Sequence, residues 1–233
     1  MATVVKAHSA WGVIIACGKT EQISDDVDSA FLQMGDQPIL AHSLVAFERC
    51  PEIEGIIVVA AKDRLDSVVG MARMYGTPKL KKIVGGTVQK TSSVKAALSA
   101  LADESASIIV LHEASRPCVS PHVISETVKA AKRYGVAAAA DKLDAPVAVV
   151  PKGLKVSKCI EGSSAWLLGM PVAMKRDQLE KMVGLGKSTQ MKIEESDYPE
   201  KLYKGAHLVP GERSNMRIRT VGDIQIVSAA VRV

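Results

Sequence analysis

Short runs of apolar, often β-branched residues alternate along the chain with segments whose apolar residues recur at helical spacing. The run Gly12–Cys17 is the first of the short kind, and it suits a strand that is buried on both faces. The runs of this kind are 12–17, 55–61, 82–84, 107–111 and 135–140. The segments with helical spacing are 38–50, 64–75, 92–101 and 121–134. The strict alternation of strands and helices predicts parallel βαβ units. It therefore predicts an α/β fold with a doubly wound, mostly parallel sheet.

The alternation changes after residue 140. Two short β-like runs, PVAVV and KVSKCI, flank the turn-forming segment Pro151-Lys-Gly153. This pattern predicts a protruding β-arm at about 145–163. Because an isolated two-stranded arm is barely stable in water, the arm predicts a homodimer. We expect the arm to belong to one domain that spans residues 1–233.

The C-terminal part carries further predicted elements. Residues 184–200 are polar and predict a surface loop or a short irregular helix. The alternating segment 214–219 predicts a strand with Arg217 and Arg219 on the same side. The spacing of Thr220 and Asp223 is typical of a helix N-cap with an acid in the first turn, so a helix is expected over 224–231.

Composition narrows the classes of partner. The net charge of +5 is spread without dense Lys/Arg tracts, and aromatic residues make up only 3% of the chain. Both features argue against nucleic acid and favour small phosphorylated ligands. Four widely separated cysteines, without zinc-ligand spacing, predict reduced thiols. The absence of a signal-peptide pattern and of an apolar run of roughly 20 residues predicts a cytoplasmic protein without a membrane partner.

Open parallel sheets bind ligands beyond the carboxyl ends of their strands, so the residues after each apolar run are the candidate site. The loop from Ala16 to Phe31 follows the first strand and has the size to wrap phosphates. The pair Gly85-Gly86 follows the third strand and offers backbone N–H groups to a base or a phosphate. The alternative interpretation of this glycine pair is a tight turn with Ser92 or Ser93 as the N-cap of the next helix.

Charged side chains also follow the fourth predicted strand, in the segment His112-Glu-Ala-Ser-Arg-Pro117. Glu113 could hold Mg²⁺ and Arg116 could clamp a phosphate with two hydrogen bonds. The alternative is a structural ion pair between these two residues. Arg217 and Arg219 either face the same cleft or solvate the edge of the sheet.

Several segments together resemble the 2-C-methyl-D-erythritol 4-phosphate cytidylyltransferase family. They are PILAHSLVAFERCPEIEGIIVV, VGG with SSVKAALSAL, VLHEASRPCVSP, AWLLGMP and LVPGERSNMRIRTVGDIQIVSAA. HEASRP is similar to the family's H-D-A-A-R-P, and NMRIRT to its N-I-K-x-T. The resemblance implies a Rossmann-like nucleotidyltransferase fold and transfer of CMP from CTP to a sugar-alcohol phosphate, with Mg²⁺ and release of pyrophosphate.

The resemblance also implies site residues. For nucleotide binding it implies Ala16, Cys17, Gly18, Gly85, Gly86, Lys90, Ser93 and Ala114. For acceptor binding it implies Glu113, Arg116, Gly162, Met170 and Arg217, with Glu113 also as the metal ligand.

The loop after the first strand departs from the family at the positions of its glycine, arginine and lysine, where this chain has Thr20, Gln22 and Ser29. Because one arginine at such a site contributes on the order of 10³ to 10⁵ in rate, weak or lost activity is expected unless Lys19 or Lys90 substitutes. Three hypotheses follow. They are a divergent cytidylyltransferase, an inactive homologue that binds nucleotide or regulates, and a nucleotidyltransferase for another sugar or polyol phosphate.

Overall fold

A seven-stranded sheet forms the centre of the structure. The computed structural model describes residues 9–17, 28–185 and 195–231. In these residues the strands are β1 Ser9–Ala16, β2 Gln33–Met34, β3 Gln37–Pro38, β4 Ile53–Ala60, β5 Leu80–Gly85, β6 Ala106–Glu113, β7 Val136–Lys142, β8 Val147–Val149, β9 Lys158–Ile160, β10 Trp166–Lys175 and β11 His207–Pro210. The α-helices are α1 Ile39–Arg49, α2 Leu65–Met74, α3 Lys90–Ala100, α4 Pro121–Tyr134, α5 Arg176–Met182, α6 Tyr198–Tyr203 and α7 Val221–Val231.

The strands lie in the order β11-β7-β10-β6-β1-β4-β5. Strand β1 pairs in parallel with β4 and β6, and β4 pairs in parallel with β5. Strands β7 and β11 are also parallel, whereas β10 runs antiparallel between β6 and β7. The prediction of a doubly wound, mostly parallel sheet is therefore confirmed.

Helices cover both faces of the sheet and explain why its central strands are apolar throughout. On one face, α1 and α4 contribute Phe47 and Val128 to a buried cluster. On the other face, α3 and α5 contribute Leu98 and Leu179. Every residue of β1 is buried, as a strand covered on both sides requires. Among the described helices, none is long and apolar enough to cross a bilayer.

Strand β10 interrupts the strict alternation of strands and helices that the sequence predicts. The chain leaves β7, forms the β8–β9 hairpin and returns antiparallel as β10, with a single 3₁₀ turn but no α-helix between β7 and β10. Its apolar pattern is irregular because Trp166 and Leu167 are exposed while Val172 is buried, and the register shifts between Leu168 and Val172. No single period describes this strand, so periodicity did not identify it.

The predicted strand 214–219 is wrong. The last strand of the sheet is β11, which ends at Pro210, and no strand follows it in the described residues. The backbone of the later segment bonds to other partners: Asn215 N donates to Glu212 O at 2.8 Å, and Ile218 N donates to Ser115 O at 2.9 Å. These bonds fix Arg217 and Arg219 beside the loop after β6, not on one side of a strand.

The structure contains the hairpin and the helix cap that the sequence predicts in the C-terminal half. Strands β8 and β9 form an antiparallel hairpin within the predicted arm, and Gly153 takes a positive φ of 67° in the connection. Helix α7 begins at Val221, three residues before its predicted start. Its cap is reciprocal, since Asp223 N donates to Thr220 Oγ1 at 3.1 Å and Thr220 N donates to Asp223 Oδ2 at 2.8 Å.

Candidate active site

The carboxyl ends of four parallel strands meet at one edge of the sheet. Ala60 in β4 lies opposite Ala16 in β1 on one side and opposite Gly85 in β5 on the other. Glu113, the last residue of β6, lies opposite Ile15 of β1. The sequence-predicted segments after β1, β5 and β6 therefore come together where a sheet of this topology binds ligands.

Gly86, directly after β5, is packed so closely that the position admits only glycine. Its N–H donates to Ala60 O at 2.8 Å. A Cβ atom would lie 2.4 Å from Val59 Cγ1, 2.6 Å from Cys17 Sγ and 2.9 Å from Ser93 Oγ. Burial raises the pKa of Cys17 to about 11, so the thiol beside Gly86 is neutral and donates to Val59 O at 3.3 Å. The backbone of this turn thus forms part of the site's wall.

Ser93 closes the glycine turn from inside helix α3. Its hydroxyl donates to Thr87 O at 2.8 Å and accepts from Thr87 N at 3.1 Å. The alternative of Ser92 or Ser93 as N-cap is wrong, because the helix begins at Lys90. The two hydrogen bonds of Ser93 therefore stabilise the turn. The first residue of the helix is the cation Lys90.

Glu113 is buried and lies among three cations from different segments. Lys90 Nζ forms a close ion pair with its Oε1, and Arg116 Nε and Arg217 Nε lie 3.3 Å and 3.8 Å from its Oε2. Burial raises the pKa of Glu113, but Lys90, Arg217 and Arg116 outweigh burial and lower it to about 2. The carboxylate is thus ionised throughout the physiological range. The ion pair between Glu113 and Arg116, considered above as an alternative, is present.

Hydrogen bonds hold the loop after β6 against the segment after β11. Arg116 Nη1 donates to Asn215 O at 3.1 Å. Asn215 Nδ2 donates to Met170 O at 2.7 Å, which connects β10 to the same arrangement. Beside these contacts lies a cleft of about 480 Å³, lined by Arg116, Asp141, Lys142, Leu143, Asp144, Leu167, Leu168, Gly169, Arg213, Asn215, Met216, Arg217, Arg219 and Asp223. A cleft of this size with converging arginines suits a small phosphorylated molecule.

His112 positions the Glu113–Arg116 turn from beneath. Its ring is fully buried, and Nε2 lies 3.0 Å from Arg116 O, so Nε2 carries the proton and donates to this carbonyl. Phe47 contacts the ring, with centroids 5.4 Å apart. Burial is the main cause that lowers the pKa of His112 to about 4. The imidazole is therefore neutral at physiological pH and acts through the turn it supports.

We expect His112 to make the fold acid-sensitive between pH 6.5 and 4. The unfolded chain protonates His112 near its ordinary pKa of 6.5, whereas the folded chain resists protonation down to about 4. Because the unfolded state then binds more protons, the stability contribution is present above pH 6.5 and is lost as pH falls to 4. Such a difference corresponds to roughly 3 kcal/mol. Urea unfolding at several pH values measures it.

The control is His112→Gln, whose amide can donate to Arg116 O without titrating. We expect its free energy of unfolding to vary less than that of the unsubstituted chain between pH 6.5 and 4. An identical pH dependence in both proteins contradicts a neutral, buried His112.

The structure brings some of the sequence-predicted site residues together and places others elsewhere. It brings Cys17, Gly86 and Ser93 together on one side and Lys90, Glu113, Arg116 and Arg217 on the other. Ala16, Gly85 and Ala114 lie at the adjoining strand ends, and Met170 contributes its carbonyl group. Gly162 lines an adjoining depression and lies close to Ala145. A Cβ atom at position 162 would lie 2.4 Å from the carbonyl oxygen of Ala145. Gly18, Lys19, Thr20 and Gln22 lie outside the described residues.

Ser29 lies at the end of the loop after β1. It is buried as the first residue of a single 3₁₀ turn, and Leu32 N donates to its carbonyl group at 3.3 Å. A side chain at this position begins inside the protein. A cation there must extend outward to meet a phosphate.

Sequence reasoning assigned no role to His112 and Asn215, although both belong to the candidate segments, and it gave no indication of Tyr203. Tyr203 Oη donates to Gly169 O at 3.0 Å, and burial, followed by the negative charge of Glu113, raises its pKa to about 12. Tyr203 is the last residue of α6, in a polar part of the sequence that gave no signal of a site. A polar residue inside a buried strand was the signal that could have identified His112.

Comparison with known proteins identifies the family. The family model for 2-C-methyl-D-erythritol 4-phosphate cytidylyltransferase matches residues 11–233. The chain belongs to this family. Its cytidylyltransferase relatives include a 2-C-methyl-D-erythritol 4-phosphate cytidylyltransferase of Dehalococcoides mccartyi, 29% identical over 91% of each chain. A ribitol-5-phosphate cytidylyltransferase of Lacticaseibacillus paracasei is 22% identical over 94% of this chain and 97% of its own.

A solved structure supports the fold independently. The 4-diphosphocytidyl-2C-methyl-D-erythritol synthase of Anaerococcus prevotii superposes with a TM-score of 0.80 over 97% of both chains, at 21% sequence identity. At this identity the likeness shows the fold alone. The α/β nucleotidyltransferase fold implied by the family resemblance is thereby confirmed.

The described residues do not fit a magnesium site built on Glu113. Both of its oxygens already contact cations. No group of three His, Cys, Asp or Glu side chains in the described ranges lies close enough to hold a metal ion. Magnesium prefers oxygen ligands and, in nucleotide sites, takes many of them from phosphates and water. Glu113 in this arrangement offers it only oxygens that already pair with cations.

Proposed function

We propose that this chain transfers CMP from CTP to 2-C-methyl-D-erythritol 4-phosphate and releases pyrophosphate. One observation carries the proposal: Lys90, Arg116 and Arg217 meet at the sheet edge between the glycine turn and the 480 Å³ cleft. The glycine turn suits the nucleotide, and the cleft suits the acceptor phosphate. Membership of the cytidylyltransferase family gives the reaction class.

In this reaction an oxygen of the acceptor phosphate attacks the α-phosphorus of CTP. The bond between that phosphorus and the bridging oxygen to the β-phosphate breaks, and pyrophosphate leaves with the electron pair. Negative charge accumulates on oxygens that approach one another, so the protein contributes mainly positioning and charge neutralisation. Lys90 begins the helix after the glycine turn and Arg217 lines the cleft, while Arg116 connects the loop after β6 to Asn215 O.

The test is pyrophosphate release from CTP with 2-C-methyl-D-erythritol 4-phosphate and Mg²⁺, at high enzyme concentration. Replacement of CTP by ATP, GTP or UTP should abolish the signal. Ribitol 5-phosphate and other polyol phosphates form parallel arms, since a family relative is named for ribitol 5-phosphate. Release with one of these acceptors alone replaces the proposed acceptor. No release with any acceptor, together with retained CTP binding by calorimetry, favours an inactive nucleotide-binding homologue.

The loop after β1 decides how fast the reaction runs. Lys19 remains a predicted substitute cation, and Lys19→Met should lower kcat/KM if it meets the phosphates. The double substitution Gln22→Arg with Ser29→Lys supplies the two cations that the family resemblance implies. We expect it to raise kcat/KM by about tenfold or more. An unchanged kcat/KM in both variants means that the loop does not limit the rate.

We also propose that the chain forms a homodimer through the arm. The hairpin and the start of β10 expose a set of apolar side chains: Val149, Val150, Leu154, Val156, Trp166, Leu167 and Leu168. Leu154 is 100% exposed. Strands of three residues, as in β8 and β9, are not stable alone, so a partner surface is needed to cover them.

Light scattering coupled to gel filtration tests the dimer. We expect twice the monomer mass of 24.8 kDa. The substitutions Leu154→Lys and Val156→Lys should shift the mass toward the monomer. Met74→Lys is the matched control, because Met74 is 77% exposed on α2 and lies outside the arm. A monomer in the unsubstituted chain, or equal dissociation in the control, contradicts the assignment.

A further inference from the structure

Glu113 gathers cations that otherwise belong to separate parts of the chain. Lys90 is the first residue of α3, Arg116 lies in the loop after β6, and Arg217 lies in the segment after β11. Each contacts a carboxylate oxygen of Glu113, which is only 7% exposed. One buried carboxylate therefore sets the relative positions of three cations.

The cluster of Lys90, Arg116, Arg217 and Glu113, here called the cation cluster, carries an excess of positive charge. Three cations contact the one carboxylate of Glu113. The side chains of Lys90 and Arg217 are 34% and 38% exposed, and Arg116 and Arg217 line the cleft. Such cations attract the anionic phosphate of a phosphate monoester, and arginine binds it with directed hydrogen bonds.

The same charge opposes a metal ion on Glu113. A magnesium ion on Oε1 would compete with Lys90 and would add two positive charges beside three cations. Like charges about 4 Å apart repel one another more strongly in a partly buried site than in water. A negatively charged ligand lowers this repulsion, whereas a metal increases it.

We propose that Glu113 is a positioning residue that assembles Lys90, Arg116 and Arg217 into one phosphate-binding site, and that it does not ligate magnesium. The proposal rests on the proposed function for the identity of the acceptor, since a sugar-alcohol phosphate carries the group that the cation cluster binds. The part of the proposal that concerns phosphate binding holds for any acceptor that carries a phosphate monoester. Binding therefore tests it without turnover.

The first experiment measures binding of inorganic phosphate in EDTA by titration calorimetry or ³¹P NMR, in the unsubstituted chain and in Glu113→Gln. Removal of a negative charge by itself should tighten anion binding. Loss of a positioning residue should weaken it, because the three cations repel one another and separate. We expect the dissociation constant for phosphate to rise about tenfold. Unchanged or tighter binding in Glu113→Gln overturns the proposal.

The second experiment measures Mn²⁺ binding by EPR, with and without CTP. We expect the dissociation constant for Mn²⁺ to be the same in Glu113→Gln and in the unsubstituted chain. A tenfold weakening of Mn²⁺ binding in the variant overturns the proposal in favour of a metal ligand. This readout is independent of turnover, so failure of the proposed reaction and failure of this inference give different results.

A length-matched pair keeps the proposal testable if Glu113→Gln does not fold. Glu113→Asp keeps the charge but withdraws the carboxylate by one methylene from Lys90. Lys90→Arg lengthens the partner. We expect Glu113→Asp alone to weaken phosphate binding and the double variant to recover most of the loss, as a double-mutant cycle between contacting residues measures. Additive losses in the double variant overturn the role of the pair.

Discussion

Replacement of Gly86 by alanine should remove nucleotide binding and destabilise the fold. The new Cβ would lie 2.4 Å from Val59 Cγ1 and 2.6 Å from Cys17 Sγ, both in the packed wall at the sheet edge. Val59 is fully buried in a central strand and cannot withdraw without strain. Overpacking of this kind costs about 2 kcal/mol in the free energy of unfolding. The displaced turn should also lose its contact geometry with a nucleotide.

The matched control is Gly70→Ala, in the middle of α2, where a Cβ meets no atom within 4 Å. Alanine there should stabilise the chain by roughly 0.5–1 kcal/mol, because it favours helix over the unfolded chain. Urea unfolding and CTP calorimetry on both variants make the comparison. Normal CTP affinity in Gly86→Ala would show that the glycine turn does not face the nucleotide.

The structure shows why some elements were predictable to the residue and others were not. Helix α4 has the bounds expected from sequence because local chemistry marks both ends. Ser120 Oγ accepts from Val123 N at 3.2 Å at the start, and Gly135 takes a positive φ of 93° at the end. Helix α3 lacks a side-chain N-cap and begins at Lys90, two residues before its predicted start. Boundaries follow local signals where those signals exist.

Long-range pairing explains the errors. Strand β10 is defined by its neighbours β6 and β7 and by a register shift, none of which leaves a period in the sequence. The alternation in 214–219 reflects a real difference between buried Ile218 and exposed Arg219. The backbone there nevertheless bonds to the loop at Ser115 and not to a strand. Alternating burial alone therefore does not establish a sheet.

The candidate site was predictable in its parts but not in its arrangement. Glu113, Arg116 and the glycine turn were identified because they follow predicted strands. The carboxyl ends of parallel strands meet on the same side of the sheet. That Lys90 and Arg217 share one carboxylate depends on how α3 and the segment after β11 fold toward β6. His112 was seen as part of a motif, yet its contact with Arg116 O depends on the turn that follows.

Arg116→Met should lower kcat/KM by about three orders of magnitude, the effect of one phosphate-binding arginine. Arg116 has a side chain only 16% exposed and donates to both Glu113 and Asn215 O. Its loss leaves that carbonyl group without this donor and Glu113 with two of its three cations, so the free energy of unfolding should also fall by about 1–3 kcal/mol.

The control separates the two effects. Arg176 has a side chain of similar exposure, 20%, and makes the same kinds of contact, with Glu180 and with the carbonyl groups of Leu101 and Glu104. Leu101 and Glu104 precede β6, and Arg176 follows β10, which is antiparallel to β6, so these contacts lie at the end of β6 opposite to Glu113. Arg176→Met should therefore cost similar stability but leave kcat/KM and phosphate affinity nearly unchanged. Equal losses of activity in both variants would mean that Arg116 supports the fold alone, whereas a loss confined to Arg116→Met places its guanidinium group on the reacting phosphates.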